Sequence, residues 1–138
     1  MKIHTYLNYG GNCEEAFRFY EKNLGGKISM MMRHGEQPDA KNAPAGTEKG
    51  IMYANIAIGE TQLMGSDVPP DRFEPMRSVY LSLAVDSDAE AERIFKLLAE
   101  GGEVFMPMAE TFFASRFGML RDRFGTSWMI LHQRPMPS

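Results

Sequence analysis

Apolar and polar residues alternate from Ile3 to Tyr9, the period of a half-buried strand. The spacing then becomes helical. Cys13, Ala16, Phe17, Tyr20 and Leu24 share one stripe, which predicts a helix over Cys13 to Leu24 ending at Gly25-Gly26. Strand-like runs return at Lys27 to Arg33, Gly50 to Ile58 and Thr61 to Gly65. The same order then repeats: a strand at Ser78 to Val85, a helix at Asp88 to Glu100 with Ala91, Ile94, Phe95 and Leu98 on one stripe, and Gly101-Gly102. Strands at Glu103 to Met108, Phe117 to Asp122 and Thr126 to His132 complete the second copy. The pattern predicts a duplicated βαβββ module and an α+β fold.

The punctuation agrees with that duplication. Asn12 with Glu15, and Ser87 with Glu90, have the spacing of a capping box at each helix start. Gly59-Glu60 reads as a tight hairpin, and Asp122-Arg123-Phe124-Gly125 as the matching turn in the second copy. From Gly35 to Lys49 apolar periodicity disappears, so this stretch is expected to be a loop of the kind that covers binding sites. Pro69-Pro70 and Pro75 favour an extended connector over Ser66 to Met76. The expected organisation is one domain over 1–138, with a first module at 1–66, a linker at 67–76 and a second module at 77–134.

At 138 residues and 43% hydrophobic content the chain can build a core without disulfides or a structural metal. Net charge is −3 and the basic residues are scattered, which argues against a nucleic-acid or anionic-membrane partner. The single Cys13 cannot form an internal disulfide, and no apolar run is long enough to span a bilayer. A cytoplasmic location is expected. Twelve methionines, among them Met30-Met31-Met32, suit core filling first and an adaptable apolar pocket second.

Three segments point to a known family. Tyr6-Leu7-Asn8-Tyr9-Gly10-Gly11-Asn12-Cys13-Glu14-Glu15-Ala16 resembles the opening of the PhnB-like branch of the vicinal oxygen chelate superfamily, which includes glyoxalase I, bleomycin-resistance proteins and extradiol dioxygenases. Met64-Gly65-Ser66-Asp67 resembles the end of that branch's first module, and the run from Thr111 to Met129 is similar to its longest signature. Phe113 departs from it, since the branch commonly has Trp there. The resemblance implies two modules that curl into an incomplete barrel around one cavity, and a homodimer. In catalytic members a divalent metal in that cavity, held by His and Glu from first and last strands, polarises substrate oxygens.

Carried over residue by residue, the metal positions fall on Thr5, or on His4 with a one-residue change of register, on Tyr80, on Met129, and on Gln62 or Leu63. A metal needs about three good ligands. This set supplies at best one imidazole, so no metal and no cofactor is expected. His34 and His132 read as exposed or hydrogen-bonded histidines, Cys13 as packed, and Asp67 and Glu110 as solvated loop carboxylates. Arg33, Arg77, Arg116, Arg121 and Arg123 are candidates for gripping an anion.

Ubiquinone methylation, a label the branch has carried, finds no support in the residues. Gly10-Gly11 precedes a helix but lacks the rest of an adenosyl-binding glycine pattern. The reading favoured by the sequence is a metal-free binder of a small organic ligand, with Tyr6, Tyr53, Tyr80, Phe112, Phe113, Trp128 and Met129 lining an apolar aromatic cavity. The alternative is a metal-dependent lyase or dioxygenase that uses His4.

Overall fold

The first alternating run forms strand β1 (Thr5–Tyr9), and the helical stripe forms α1 (Cys13–Asn23). Strands β2 (Lys27–Arg33), β3 (Ile51–Ile58) and β4 (Thr61–Asp67) follow, and a 3-10 turn at His34–Glu36 opens the predicted loop. The second copy is β5 (Leu81–Ala84), α2 (Asp88–Ala99), β6 (Glu103–Ala109), β7 (Ala114–Arg121) and β8 (Ser127–Gln133). This computed structural model describes residues 1–36 and 46–135, so residues 37–45 of the predicted loop lie outside the described residues. The chain divides into two units, Met1–Pro75 and Met76–Ser138. Among the described residues no helix is long and apolar enough to cross a membrane.

Each unit is a four-stranded sheet with one helix, the α+β fold of two βαβββ modules expected from the pattern. The strand orders are β1-β4-β3-β2 and β5-β8-β7-β6. In each, the strand before the helix lies parallel to the last strand, and the remaining pairs are antiparallel. A strand, helix and parallel strand need a crossover, which the helix provides by covering one face of the sheet.

Packing explains why the stripes lie where they do. Cys13, Ala16, Phe17 and Tyr20 of α1 are fully buried. Phe17 lies so close over β4 that a Cβ on Gly65 would sit 2.9 Å from its ring and 3.0 Å from the Leu7 carbonyl oxygen. In the second module Ala91, Ile94 and Leu98 are buried, and Phe95 occupies the space above Gly118, 2.6 Å from where a Cβ would be. Both glycines let an aromatic ring on a helix approach a strand closely.

Three boundaries move for identifiable reasons. Ser78 adopts a left-handed conformation, φ 58°, so the extended backbone of β5 begins only at Leu81. Strand β1 begins at Thr5, where its pairing with Leu63 of β4 begins. Pairing of Ala114 with Gln133 starts β7 three residues before the predicted Phe117.

One helix start also differs from expectation. Ser87 accepts the Glu90 N–H at 3.1 Å, as a capping residue should. Asn12 makes no side-chain cap bond. Its place is taken by Asp67 at the end of β4, whose carboxylate accepts the N–H groups of Gly11 (2.9 Å), Cys13 (3.0 Å) and Ile51 (2.8 Å). Asp67 is therefore a buried structural carboxylate, 7% exposed, and not the solvated loop residue expected from sequence.

Candidate ligand-binding faces

Each sheet has one face under its helix and one turned away, and strand alternation decides which side chains reach the second. In the first module Leu7, Ile56, Leu63 and Gly65 share the helix face. Tyr6, Tyr53, Asn55, Gln62 and Met64 occupy the other. The rings of Tyr6 and Tyr53 meet at 6.4 Å, although β4 separates their strands. The Asn55 amide links this pair to the strand end, donating to the Tyr53 hydroxyl and to the Gln62 carbonyl oxygen, each at 3.3 Å. Its own Oδ1 is buried with no hydrogen-bond partner among the described residues.

In the second module Gly118, Leu120, Trp128 and Ile130 lie under α2, while Phe117, Met119, Arg121 and Met129 point the other way. Tyr80 precedes β5, and Phe105 belongs to β6; these strands are opposite edges of the sheet. Their rings nevertheless approach to 6.1 Å. Three strand spacings in a flat sheet would separate the edges by about 14 Å. The sheet therefore curls, and its rims approach across the face turned away from α2. At one end of that face Phe113 packs edge-on against Phe117 at 5.1 Å and against Phe112 at 5.2 Å.

Of the residues predicted to line a pocket, Tyr6 and Tyr53 come together on one face, and Tyr80 and Met129 share the corresponding face of the second module. Phe113 closes an end of it, whereas Phe112 is 94% exposed. Trp128 is elsewhere: 2% exposed under α2, it donates its indole N–H to Asp122 at 2.9 Å. Asp122 also accepts the N–H groups of Phe124 and Thr126, so Trp128 belongs to the turn that aims β8. Phe105 and Asn55 went unrecognised. The sequence carried no signal for Phe105, because register shifts on either side of Met106 reset the alternation in β6.

The possible metal positions divide: Tyr80, Met129 and Gln62 lie on the faces turned away from the helices, whereas Thr5 and Leu63 do not. Thr5 pairs with Leu63 and shares the face under α1, so neither points toward Tyr6. His4 and Gln62 border one shallow polar recess of the first module, with Glu60 and Lys2. Among the described residues no group of three or more His, Cys, Asp or Glu side chains is placed to hold a metal ion. The donor set does not fit the superfamily's metal.

Other chemically suggestive groups are engaged. Burial, reinforced by Asp67 and Glu14, pushes the Cys13 thiol far above its ordinary range, so it is no nucleophile. His132 contacts Asp88 at 2.8 Å and Ser115 at 3.0 Å, and Ser115 also hydrogen-bonds Asp88. Serine and carboxylate both meet the same nitrogen, Nδ1. A nucleophilic triad needs them on opposite nitrogens. His34 Nε2 lies 3.1 Å from the Asp67 carbonyl oxygen. It also borders a cavity of 340 Å³ in the first module, beside Gly10, Lys49 and Pro69.

Among the candidate arginines, Arg33 makes two hydrogen bonds to Glu14 (2.8 and 2.9 Å), Arg116 pairs with Glu92 (3.0 Å), and Arg123 lies over the Phe124 ring. Arg77 is exposed. Glu110 pairs with Arg134.

Comparison with known proteins agrees with this geometry. A family model described as 3-demethylubiquinone-9 3-methyltransferase matches residues 1–131. Protein YjdN of Escherichia coli K12 is 32% identical over 146 residues, covering 100% of this chain and 99% of its own. The crystal structure of PA1353 from Pseudomonas aeruginosa is 43% identical, with TM-score 0.88, and covers 98% of this chain and 99% of that one. The PhnB protein from Bacillus cereus is 28% identical, with TM-score 0.83, over 96% and 99%. At 17% identity and TM-score 0.66, a glyoxylase/bleomycin resistance protein/dioxygenase domain from Frankia sp. EAN1pec shares the fold alone, over 97% and 98%.

Proposed function

This chain belongs to the PhnB-like family of the vicinal oxygen chelate superfamily, and from that premise we propose that it binds a small organic ligand, without a metal ion, against the aromatic and methionine side chains turned away from its helices. The chemistry of the donor set carries this reading. At the positions to which the resemblance assigns His and Glu, the chain has Thr5, or His4 with a one-residue change of register, with Tyr80, Met129 and Gln62 or Leu63, which is at best one imidazole. A hydroxyl, a phenol and a thioether bind hard or borderline cations poorly. Aromatic rings and thioethers instead suit a flat apolar ligand held by contact area and a few polar groups.

Methyl transfer, which the family description names, would require an adenosyl cofactor. At the glycine pair that precedes a helix, the amides of Gly11 and Cys13 are already satisfied by Asp67. The Phe73 ring fills the space over Gly10, 2.9 Å from where a Cβ would be. That turn does not fit the cofactor.

One observation favours the alternative of a metal-dependent lyase or dioxygenase: His4, Gln62 and Glu60 border a common recess. Metal analysis of the dialysed protein separates the readings. Well under one divalent ion per chain is expected, together with a rise in melting temperature for at least one flat organic compound in a metabolite panel. One ion per chain that is lost in His4→Ala would overturn the metal-free reading in favour of the enzyme.

A further inference from the structure

Arg121 stands apart from the other candidate arginines. It ends β7 on the face turned away from α2, paired with Ser127 on β8 and Glu103 on β6. Its Nε donates to Ser127 Oγ at 3.2 Å, and its guanidinium carbon lies 5.1 Å from the centre of the Phe105 ring. The carboxylate nearest to Nη1, that of Glu103, is 3.9 Å away, beyond hydrogen-bond length, and 67% exposed. The Arg121 side chain is only 25% exposed. Among the described residues, then, neither Nη group of this guanidinium makes a hydrogen bond, Nη1 has only the long ion pair to Glu103, and a ring and a hydroxyl fix its plane.

A fork of this kind matches an oxyanion, and the fixed plane reduces the entropy lost when one binds. The surface beyond it is apolar. Met119 and Phe117 follow Arg121 at two-residue steps along the same face, so the row spans about 13 Å. Met129 lies beside Met119 on the neighbouring strand. Phe105, with Tyr80 against its edge, flanks the charged end. The first module offers a contrast: Tyr6, Tyr53, Asn55 and Gln62 bring phenols and amides to their face, and a basic residue that shares it, Lys27, lies at the exposed start of edge strand β2.

We propose that the second module selects an amphipathic organic anion, with one oxyanion head held by Arg121 between Phe105 and Ser127 and a flat apolar body laid over Met119 and Met129. This rests on the reading that the chain binds an organic ligand on these faces, and it adds the ligand's charge and orientation. Glu103 acts as a weak competitor that a bound anion displaces.

The test uses two fluorescent probes with one ring skeleton, 8-anilinonaphthalene-1-sulfonate and its uncharged counterpart N-phenyl-1-naphthylamine, titrated against the full chain. The wild type is expected to bind the anion at least about 10-fold more tightly, as befits a charge-assisted fork in a partly covered site. Arg121→Gln brings the anion down to the neutral probe's affinity and leaves the neutral probe unchanged. Arg121→Lys recovers part of the difference. Glu103→Gln tightens the anion several-fold, and Arg77→Gln changes neither. Should Arg121→Gln fail to fold by circular dichroism, the Glu103→Gln comparison decides alone, and unchanged anion affinity there overturns the proposal. Equal affinity for both probes in the wild type, or equal loss of both in a folded Arg121→Gln, overturns it while leaving ligand binding intact. Binding of neither probe overturns the ligand-binding reading itself.

Discussion

The two modules share a plan and start their helices by different means. In the second, Ser87 caps α2 from three residues away, at an exposed site. The first borrows its acceptor from Asp67, 54 residues from Cys13, and the same carboxylate also holds the first residue of β3. A local cap stabilises one helix end. A buried carboxylate shared by a helix start and two strands makes the module's parts depend on one another. Substituting the two residues measures that difference. Asp67→Ala removes the acceptor for three N–H groups, two of them in buried bonds, and should cost about 3–5 kcal/mol, a large share of a typical domain's stability. Ser87→Ala should cost about 1 kcal/mol. Urea unfolding of both variants checks this, and equal losses would mean that Asp67 is no more than another cap.

The same contrast marks how far the sequence was legible. Periodicity located both helices and the inner strands of the described residues because each buries one face, and burial leaves a repeating trace; β2 and β6, edge strands without a buried residue, were placed by the glycine pairs that precede them. Asp67 left no such trace: a carboxylate beside a proline-rich connector looks solvated until β4 is seen to end against the start of α1. Trp128 was misleading for a related reason. Alternation shows that it faces opposite to Met129, but only the strand pairing shows which of the two faces α2 covers. Phe105, which meets Tyr80, lies at a register shift in β6, and an irregularity of one residue has no sequence period. Arg121 could be named as one arginine among five. Its distinction is that Phe105 and Ser127 hold its guanidinium while Glu103 stays beyond hydrogen-bond length, and only coordinates reveal that.

A smaller difference separates the two strand glycines, and it reverses the order that distance alone suggests. A Cβ at position 118 would approach Phe95 to 2.6 Å, closer than the 2.9 Å between position 65 and Phe17. Phe95 is only half-buried and can swing outward. Phe17 is fully buried, and the Leu7 carbonyl oxygen, 3.0 Å from the same Cβ, is backbone. Gly65→Ala should therefore destabilise by about 2–3 kcal/mol and Gly118→Ala by about 1 kcal/mol, within the usual range for overpacking. Their melting temperatures test this; a larger drop for Gly118→Ala would show that Phe95 is held as firmly as Phe17.

The smallest expected effects lie at the first-turn acids, where the modules again use different partners. Glu14 of α1 accepts two hydrogen bonds from Arg33 and one from Arg18, and mainly because of Arg33 its carboxyl is lowered from 4.5 to about 2. Asp88 of α2 is also lowered from its ordinary value, first by the Ser115 hydroxyl and then by His132. Both shifts are depressions. Each interaction thus contributes fully above the unfolded-state value and is lost as pH falls through the folded one. For Glu14 that window runs from about pH 4.5 down to about 2. Arg33 stays charged throughout, so Arg33→Gln should raise the Glu14 midpoint toward its ordinary value while changing stability little at neutral pH, because both side chains are about one-third exposed and solvent screens the pair. Ser115→Ala should raise Asp88 and leave Glu14 where it is. Carboxyl NMR titrations of the wild type and both variants read the two acids separately. A wild-type Glu14 that titrated near 4.5 would show that solvent screens the Arg33 pair completely, and the first module would then owe its distinct helix start to Asp67 alone.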